Sequence, residues 1–205
     1  MDPMPSAVQP SREMSTARLE GFSDGVLAVI ITIMVLELRP PLHDDLAALK
    51  SLIPGLLIYV LSFAFIGNYW NNHHHLLRAT RRISGGIMWA NLHLLFWLSL
   101  VPLVTAWVGQ HDLSTLPAVT YGAVGFLAGV AYYILTLTIR AANKDTDINQ
   151  RLGRDIKGKA SVALYTLGIA LAFVAPVLAY GAYTLVAIMW FIPDRRLAKS
   201  GGGPA

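Results

Sequence analysis

Five stretches of this sequence are long, apolar and almost free of charged side chains, which restricts the chain to a membrane. Crossing the roughly 30 Å hydrocarbon core of a bilayer takes about 20 helical residues. Residues 51–77, 83–111, 113–139 and 160–193 contain no Asp, Glu, Lys or Arg, and residues 25–36 form the apolar part of an earlier segment. Only 14% of the residues are charged, against about 25% in soluble proteins. The sequence therefore predicts an all-α integral membrane protein.

The last apolar stretch decides how many helices cross the membrane. Its 34 residues would form one helix about 51 Å long, which is too long for a single span. Pro176 and the sequence AYGAY at 179–183 offer places to turn. With six spans and a cytoplasmic N-terminus, all 16 Lys and Arg residues except Arg39 and Lys50 lie on the cytoplasmic side. This bias predicts six helices with both termini in the cytoplasm.

The chain ends and the composition exclude several other classes of protein. Residues 1–15 lack a hydrophobic core segment, so we interpret them as a disordered cytoplasmic N-terminus and not as a signal peptide. Residues 16–196 form the six-helix membrane domain, and residues 197–205 a flexible tail. The absence of cysteine excludes disulfides, and the net charge of +4 reflects cytoplasmic loops and not nucleic-acid binding. No phosphate loop, nucleophile elbow or zinc-protease motif is present, so we do not expect an enzyme.

The first apolar segment has two different faces when it is drawn as a helix. Successive residues are about 100° apart, and one stripe contains Arg18, Phe22, Gly25, Val29, Thr32, Ile33 and Leu36. The acidic residues Glu20 and Asp24 lie on the opposite face, at the cytoplasmic end. From the angles alone, the stripe is either a packing surface, with the Thr32 hydroxyl bonded to its own helix, or a functional surface.

A second polar cluster lies at the end of the second apolar stretch, in the sequence GNYWNNHHHLLR. Asn68, Asn71, Asn72 and His75 share one helical face there. The six-span topology brings this end to the same depth as the start of the first helix. Because unsatisfied polar groups are costly in lipid, we expect the two clusters to pair, with carboxylates accepting hydrogen bonds from His and Trp.

Three consecutive histidines, His73, His74 and His75, suggest a metal site as an alternative interpretation. Consecutive helical residues point about 100° apart, so they cannot chelate one ion together. No pair of histidines on this helix has the i, i+3 or i+4 spacing of two ligands, although His93 could contribute one ligand from another helix. We therefore expect no metal and no other cofactor.

Two short motifs connect these clusters to a known family. The first segment opens with RLEGFSD, which fits Arg-x-x-x-Phe-Ser-Asp at Arg18, Phe22, Ser23 and Asp24. The second ends with YWNNHH, in which Trp70, His73 and His74 fit Trp-x-x-His-His. Together with NLHLLFWLSLVPLVTAWVG and WFIPDRR, these motifs resemble the transmembrane protein 175 family of potassium channels, in its prokaryotic form.

The resemblance implies a homotetramer of six-helix subunits in which the first helix lines a central pore. The family's pore positions correspond to Val29, Thr32 and Leu36, and Ile33 lies on the same stripe. Aliphatic rings would narrow the pore, and a Thr ring would favour potassium, so that potassium ions pass close to Thr32. Val29 departs from the family pattern, which usually has Ile or Leu there. The sequence has no Thr-Val-Gly-Tyr-Gly filter, so we expect weaker selectivity than in familiar potassium channels.

The polar residues of the motifs are implied to be structural. Ser23 and Asp24 would bind the end of the second helix and the start of the third, and so fix the pore helix. The implied network contains Arg18, Phe22, Ser23, Asp24, Trp70, His73, His74 and Asn91. Arg18 could instead face the inner mouth of the pore.

We expect a passive channel that prefers potassium, lies among the lipids of the bacterial inner membrane and needs no cofactor. The alternative is a small secondary or proton-coupled cation transporter that uses Asp24 and the histidines as a relay. Transporters often show inverted repeats and broken helices near the membrane midplane, and neither is visible in this sequence.

Overall fold

The computed structural model describes residues 15–111, 114–144 and 156–191. These residues form eight helices: α1 Thr16–Leu36, α2 Leu46–Ser51, α3 Ile53–Arg78, α4 Gly85–Ser99, α5 Val101–Gln110, α6 Thr115–Ala142, α7 Ile156–Ala172 and α8 Pro176–Phe191. Helices α2 and α3 are separated by one residue, and so are α4 and α5. Each of these pairs forms one longer segment, and the prediction of an all-α chain with six helical segments is confirmed.

Four of the six segments are long and apolar enough to cross a membrane, namely residues 16–36, 46–78, 85–110 and 115–142. Helix α8 is also apolar, but its 16 residues extend only about 24 Å along the helix axis. The chain is therefore a multi-pass membrane protein. Apart from Ser15, the predicted N-terminal segment 1–15 and the predicted tail 197–205 lie outside the described residues.

Caps and prolines explain where several helices begin. The side chains of Ser15 and Ser84 each accept a hydrogen bond from a backbone amide in the first turn of α1 and α4, respectively. Pro102 lies in the first turn of α5, where a residue needs no amide hydrogen. The chain turns at residues 173–175, immediately before Pro176, as predicted. The alternative turn at 179–183 is wrong, because AYGAY lies inside α8.

One end of the bundle contains the starts of α1, α4 and α7 and the ends of α3 and α6. The buried Asn143 side chain, after α6, accepts hydrogen bonds from the backbone amides of Arg81 at 3.2 Å and Arg82 at 3.0 Å. Every described Lys and Arg lies at this end except Arg39 and Lys50, which follow α1 and lie in α2. We call this the basic end of the bundle.

Helices α6, α7 and α8 approach one another closely because glycines face tyrosine rings. A Cβ atom at Gly122 would overlap the ring of Tyr183, and one at Gly125 would overlap the ring of Tyr165. Small residues allow such close contact between membrane helices. Helix α1 packs mainly on α3, α4 and α5, and therefore lies at the side of the bundle away from α7 and α8.

Candidate functional site

The side chains of α1 divide between a face that packs on the bundle and a face that is open. The buried face consists of Leu19, Ser23, Leu27, Ile30 and Met34. On the other side, Val29 is 55% exposed, Ile33 42% and Leu36 79%, and Thr32 is exposed as well. The four residues predicted to line a pore thus lie together on a surface that the other helices of this chain leave open. We call these four residues the α1 stripe.

The hydroxyl of Thr32 is the single polar side-chain group of the α1 stripe. It donates a hydrogen bond of 2.9 Å to the backbone carbonyl of Val29, one turn earlier. This bond is the one that a Thr within a helix commonly makes. The side chain nevertheless faces outward, so this bond does not result from packing of Thr32 against another helix of the chain.

A buried hydrogen-bond chain joins α1 to α4 and α3 at the basic end. Ser23, Asn91 and His73 are each at most 1% exposed. The Asn91 amide donates to the Ser23 hydroxyl at 2.9 Å, and the Ser23 hydroxyl donates to the Leu19 carbonyl at 2.9 Å. The Asn91 side-chain oxygen lies 2.7 Å from His73 Nε2. Because that oxygen can only accept, His73 Nε2 carries the hydrogen.

Both carboxylates at the start of α1 also contact α3. The Trp70 indole donates to Asp24 at 3.1 Å, and His74 Nδ1 lies 2.5 Å from a carboxylate oxygen of Glu20. The rings of Trp70 and His74 stack with their centroids 6.2 Å apart. These two pairs are more accessible than the buried chain, since Trp70 is 48% exposed. Together, the contacts hold one face of α1 against α3.

The structure places the predicted network residues in two groups. Six of them are brought together at the basic end: Ser23, Asp24, Trp70, His73, His74 and Asn91. Arg18 and Phe22 lie on the open side of α1, where Phe22 is 53% exposed. Within the described part of the chain, neither side chain takes part in this hydrogen-bond network. Glu20, which was not among the predicted network residues, does take part through its contact with His74. Its position on the same helical face as Asp24, one turn earlier, could have indicated this.

The expected pairing of the two polar clusters is confirmed, since the carboxylates of Asp24 and Glu20 contact Trp70 and His74. Among the described residues, the stripe of Asn68, Asn71, Asn72 and His75 makes no hydrogen bond to α1. Asn68 donates to the Ala187 carbonyl in α8 at 3.1 Å, and Asn72 donates to the Asn68 carbonyl at 2.7 Å. Asn71 and His75 are exposed. The neighbouring face of α3, which carries Trp70, His73 and His74, packs on α1 instead.

The three consecutive histidines diverge, as their helical angles require. His73 contacts Asn91, His74 contacts Glu20, and His75 is exposed. Among the described residues, no group of three His, Asp or Glu side chains is placed to hold a metal ion. The local chemistry is therefore that of a hydrogen-bond network.

Known proteins are similar to this chain over the helices that carry the α1 stripe and the network. The family model described as endosomal/lysosomal potassium channel TMEM175 matches residues 18–102, which include the α1 stripe and the network at the basic end. A protein of Chryseobacterium sp. (strain P1-3) named a potassium channel is 46% identical over 188 residues, which cover 91% of this chain and 98% of the relative. This chain belongs to the TMEM175 family. The resemblance predicted from the two motifs is thereby confirmed.

Further TMEM175 relatives extend the match to most of the chain. A protein of Chamaesiphon minutus named a potassium channel is 31% identical over 196 residues, covering 88% of this chain and 96% of the relative. A crystal structure described as a lysosomal potassium-selective channel TMEM175 homolog from Chamaesiphon minutus superposes with a TM-score of 0.77 at 28% identity. That superposition covers 88% of this chain and 97% of the other. TMEM175 is a family of ion channels, which agrees with the expectation that the chain is not an enzyme.

Proposed function

We propose that this chain is a passive, potassium-preferring cation channel whose homotetramer encloses a central pore lined by α1. The observation that carries the proposal is the α1 stripe, which is open in the subunit although the opposite face of the same helix is buried. The relatives named potassium channels support the choice of ion. Four copies of the stripe, facing one axis, would form rings of identical side chains.

The spacing along the stripe supports separate constrictions. Val29 and Leu36 are seven residues apart, which corresponds to about 10.5 Å along the helix axis. Rings of Val29, Ile33 and Leu36 would make a narrow apolar passage, from which water leaves readily, so that the pore closes by dewetting. Thr32 lies between them and offers a conducted ion four hydroxyl oxygens in place of part of its hydration shell.

The network at the basic end has a positioning role in this proposal. A rotation of α1 by one residue, about 100°, would turn Thr32 away from the axis. The buried chain from Ser23 through Asn91 to His73 joins α1 to two other helices and opposes such a rotation. The residues of the network thus set which side chains face the ions, without touching the ions themselves.

The distribution of charge supports an orientation in the cell membrane. The basic end of the bundle faces the cytoplasm by the positive-inside rule, which puts both chain ends in the cytoplasm. Arg18, on the open side of α1, then lies near the inner mouth of the pore. Lipids surround the tetramer, and the proposed conduction requires no cofactor.

Flux through liposomes tests the proposal, and the cysteine-free chain makes single-cysteine variants informative. In Leu36→Cys, we expect a positively charged methanethiosulfonate reagent to block potassium flux and oxidation to link subunits in pairs. Leu137→Cys is the control, because Leu137 in α6 is 44% exposed but lies away from α1. Saturable, coupled exchange would instead support a transporter. Block in Leu137→Cys without block in Leu36→Cys would contradict the assignment of α1 to the pore.

A further inference from the structure

A cavity of about 470 Å³ lies between α3, α6, α7 and α8, on the side of the bundle away from α1. Its volume is within the range of about 300–1,000 Å³ that is usual for small-molecule sites. Each of the four helices contributes part of the wall, including the aromatic rings of Phe65, Tyr69, Tyr132, Tyr165 and Trp190. The cavity has no part in the proposed ion pathway, so another occupant has to be sought.

Several polar groups in the wall are already bonded to the protein. The Asn68 amide donates to the Ala187 carbonyl at 3.1 Å. The Trp190 indole donates to the Ser161 hydroxyl at 2.8 Å, and that hydroxyl donates to the Lys157 carbonyl at 2.9 Å. Most of the remaining surface consists of ring faces and aliphatic groups. Apolar cavities hold water poorly and accept apolar molecules, so the wall fits a hydrocarbon chain better than a polar metabolite.

A glycine helps to keep this space open. On α6, a Cβ at Gly125 would overlap the Tyr165 ring, whereas a Cβ at Gly129, one turn further, would meet only the Tyr69 hydroxyl at 3.8 Å. Close packing of α6 on α7 thus ends between these two positions, and the cavity begins there. A larger side chain at position 129 would project into the cavity without displacing the backbone.

The cavity opens at the surface of the subunit, at membrane depth and near the basic end. Tyr133 in α6 is 45% exposed and lies on the rim, as does the exposed residue Ala163 in α7. Lys159, in the first turn of α7, is exposed and also lines the cavity. An apolar space with a lateral opening and a basic rim has the arrangement of a phospholipid, whose acyl chains and phosphate lie at these two depths.

We propose that this cavity binds an acyl chain of an anionic phospholipid from the cytoplasmic leaflet, with the lipid phosphate at Lys159. Basic side chains near a membrane surface attract anionic lipids, and the apolar wall accounts for binding of the chain. The lipid would fill the space that α3, α6, α7 and α8 leave between them. The site is separate from the α1 stripe, so it does not depend on the identity of the conducted ion.

Native mass spectrometry of the purified full-length protein tests the site. The protein in mild detergent is mixed with equal amounts of phosphatidylglycerol and phosphatidylcholine that carry the same acyl chains. We expect one tightly held lipid per subunit, with phosphatidylglycerol preferred about fivefold, as one basic side chain near a charged headgroup predicts. Gly129→Leu fills the cavity and should remove the tightly held lipid of either kind. Ala163→Leu fills the cavity from α7 and provides the same test if Gly129→Leu does not fold.

The charge is tested separately. Lys159→Gln should keep the lipid but abolish the preference for phosphatidylglycerol. Lys144→Gln is the matched control, because Lys144 is exposed at the same end of the bundle and does not line the cavity. The proposal is overturned if the wild type retains no lipid, if a folded cavity-filling variant binds lipid like the wild type, or if both lysine variants lose the preference equally. A change of oligomeric state in the filled variant also overturns it, since the cavity would then hold a neighbouring subunit.

Discussion

Replacing Asn91 with alanine would break the buried chain that joins α1 to α3 and α4. Asn91 is fully buried, donates to Ser23 at 2.9 Å and lies 2.7 Å from His73 Nε2. After the substitution, Ser23 keeps its bond to the Leu19 carbonyl, but His73 Nε2 loses its acceptor. His73 Nδ1 already has no partner among the described residues, so the buried imidazole would be left without any bond from this part of the chain.

The cost of that change follows from burial. A buried polar group left without a partner costs about 1–3 kcal/mol, while hydrogen bonds between membrane helices average about 0.6 kcal/mol. Truncation also leaves a small void beside Ser23. We expect Asn91→Ala to lower the free energy of unfolding by about 2–3 kcal/mol. Trp70→Phe breaks the bond to Asp24, but it acts on a half-exposed side chain and should cost less than about 1 kcal/mol.

Equilibrium unfolding in mixed detergent micelles, followed by far-ultraviolet circular dichroism, measures both values. A double-mutant cycle with Asn91→Ala and His73→Ala isolates the bond between the two residues, and contacting residues should show a coupling of at least about 0.5 kcal/mol. The reasoning is refuted if Asn91→Ala costs no more than Trp70→Phe, or if the effects of Asn91→Ala and His73→Ala are additive.

Three further predictions concern α1. Leu36→Asn should wet the proposed pore and raise basal cation flux, and Val29→Asn should do so less, because Leu36 is the larger side chain. Leu27→Asn places an amide in the core, where Leu27 is 2% exposed. It should therefore lower the yield of folded protein instead of raising flux. Open channels from Leu27→Asn, with Leu36→Asn inactive, would show that the wrong face was chosen. Thr32→Val keeps the shape but removes the hydroxyl, so the potassium over sodium preference should fall; an unchanged reversal potential under bi-ionic conditions argues against a Thr ring. Asp24→Ala should reduce the amount of assembled tetramer, seen by size-exclusion chromatography, more than it alters ion preference, and a normal tetramer with altered selectivity contradicts this.

The two faces of α1 could be predicted from the sequence because helical geometry alone sorts its side chains. The open positions Val29, Thr32 and Leu36 recur at the spacing of one stripe, and Leu27 and Met34 fall on the buried side. The six helical segments followed from the lengths of the apolar runs and from the distribution of Lys and Arg. These features follow from helical periodicity and from the number of residues needed to cross a bilayer. Both can be read from a single sequence.

The contacts of α3 could be predicted only in part, because the expected pairing of carboxylates with His and Trp did not say which face of α3 turns toward α1. Periodicity does not give the rotation of one helix relative to its neighbours. Asn68 and Asn72 form the more obvious polar face, yet Trp70 and His74 contact α1 and His73 contacts α4. The family motif, which includes Trp70 and His73 but not Asn68, contained the missing information. The turn before Pro176 was similarly ambiguous, because glycine within AYGAY is tolerated inside α8.

The hydrogen bond from Thr32 to the Val29 carbonyl has a consequence for the sign of the charge that can pass. The hydroxyl has one hydrogen, and that hydrogen is already donated at 2.9 Å to the helix, so only its lone pairs remain for a partner on the open face. In the proposed tetramer, four such oxygens would form an electron-rich but uncharged collar. Chloride would meet no donor there, whereas any alkali cation would meet acceptors that release it easily. Exclusion of anions would then arise from one backbone carbonyl per subunit, and the spacing of the four oxygens would sort potassium from sodium.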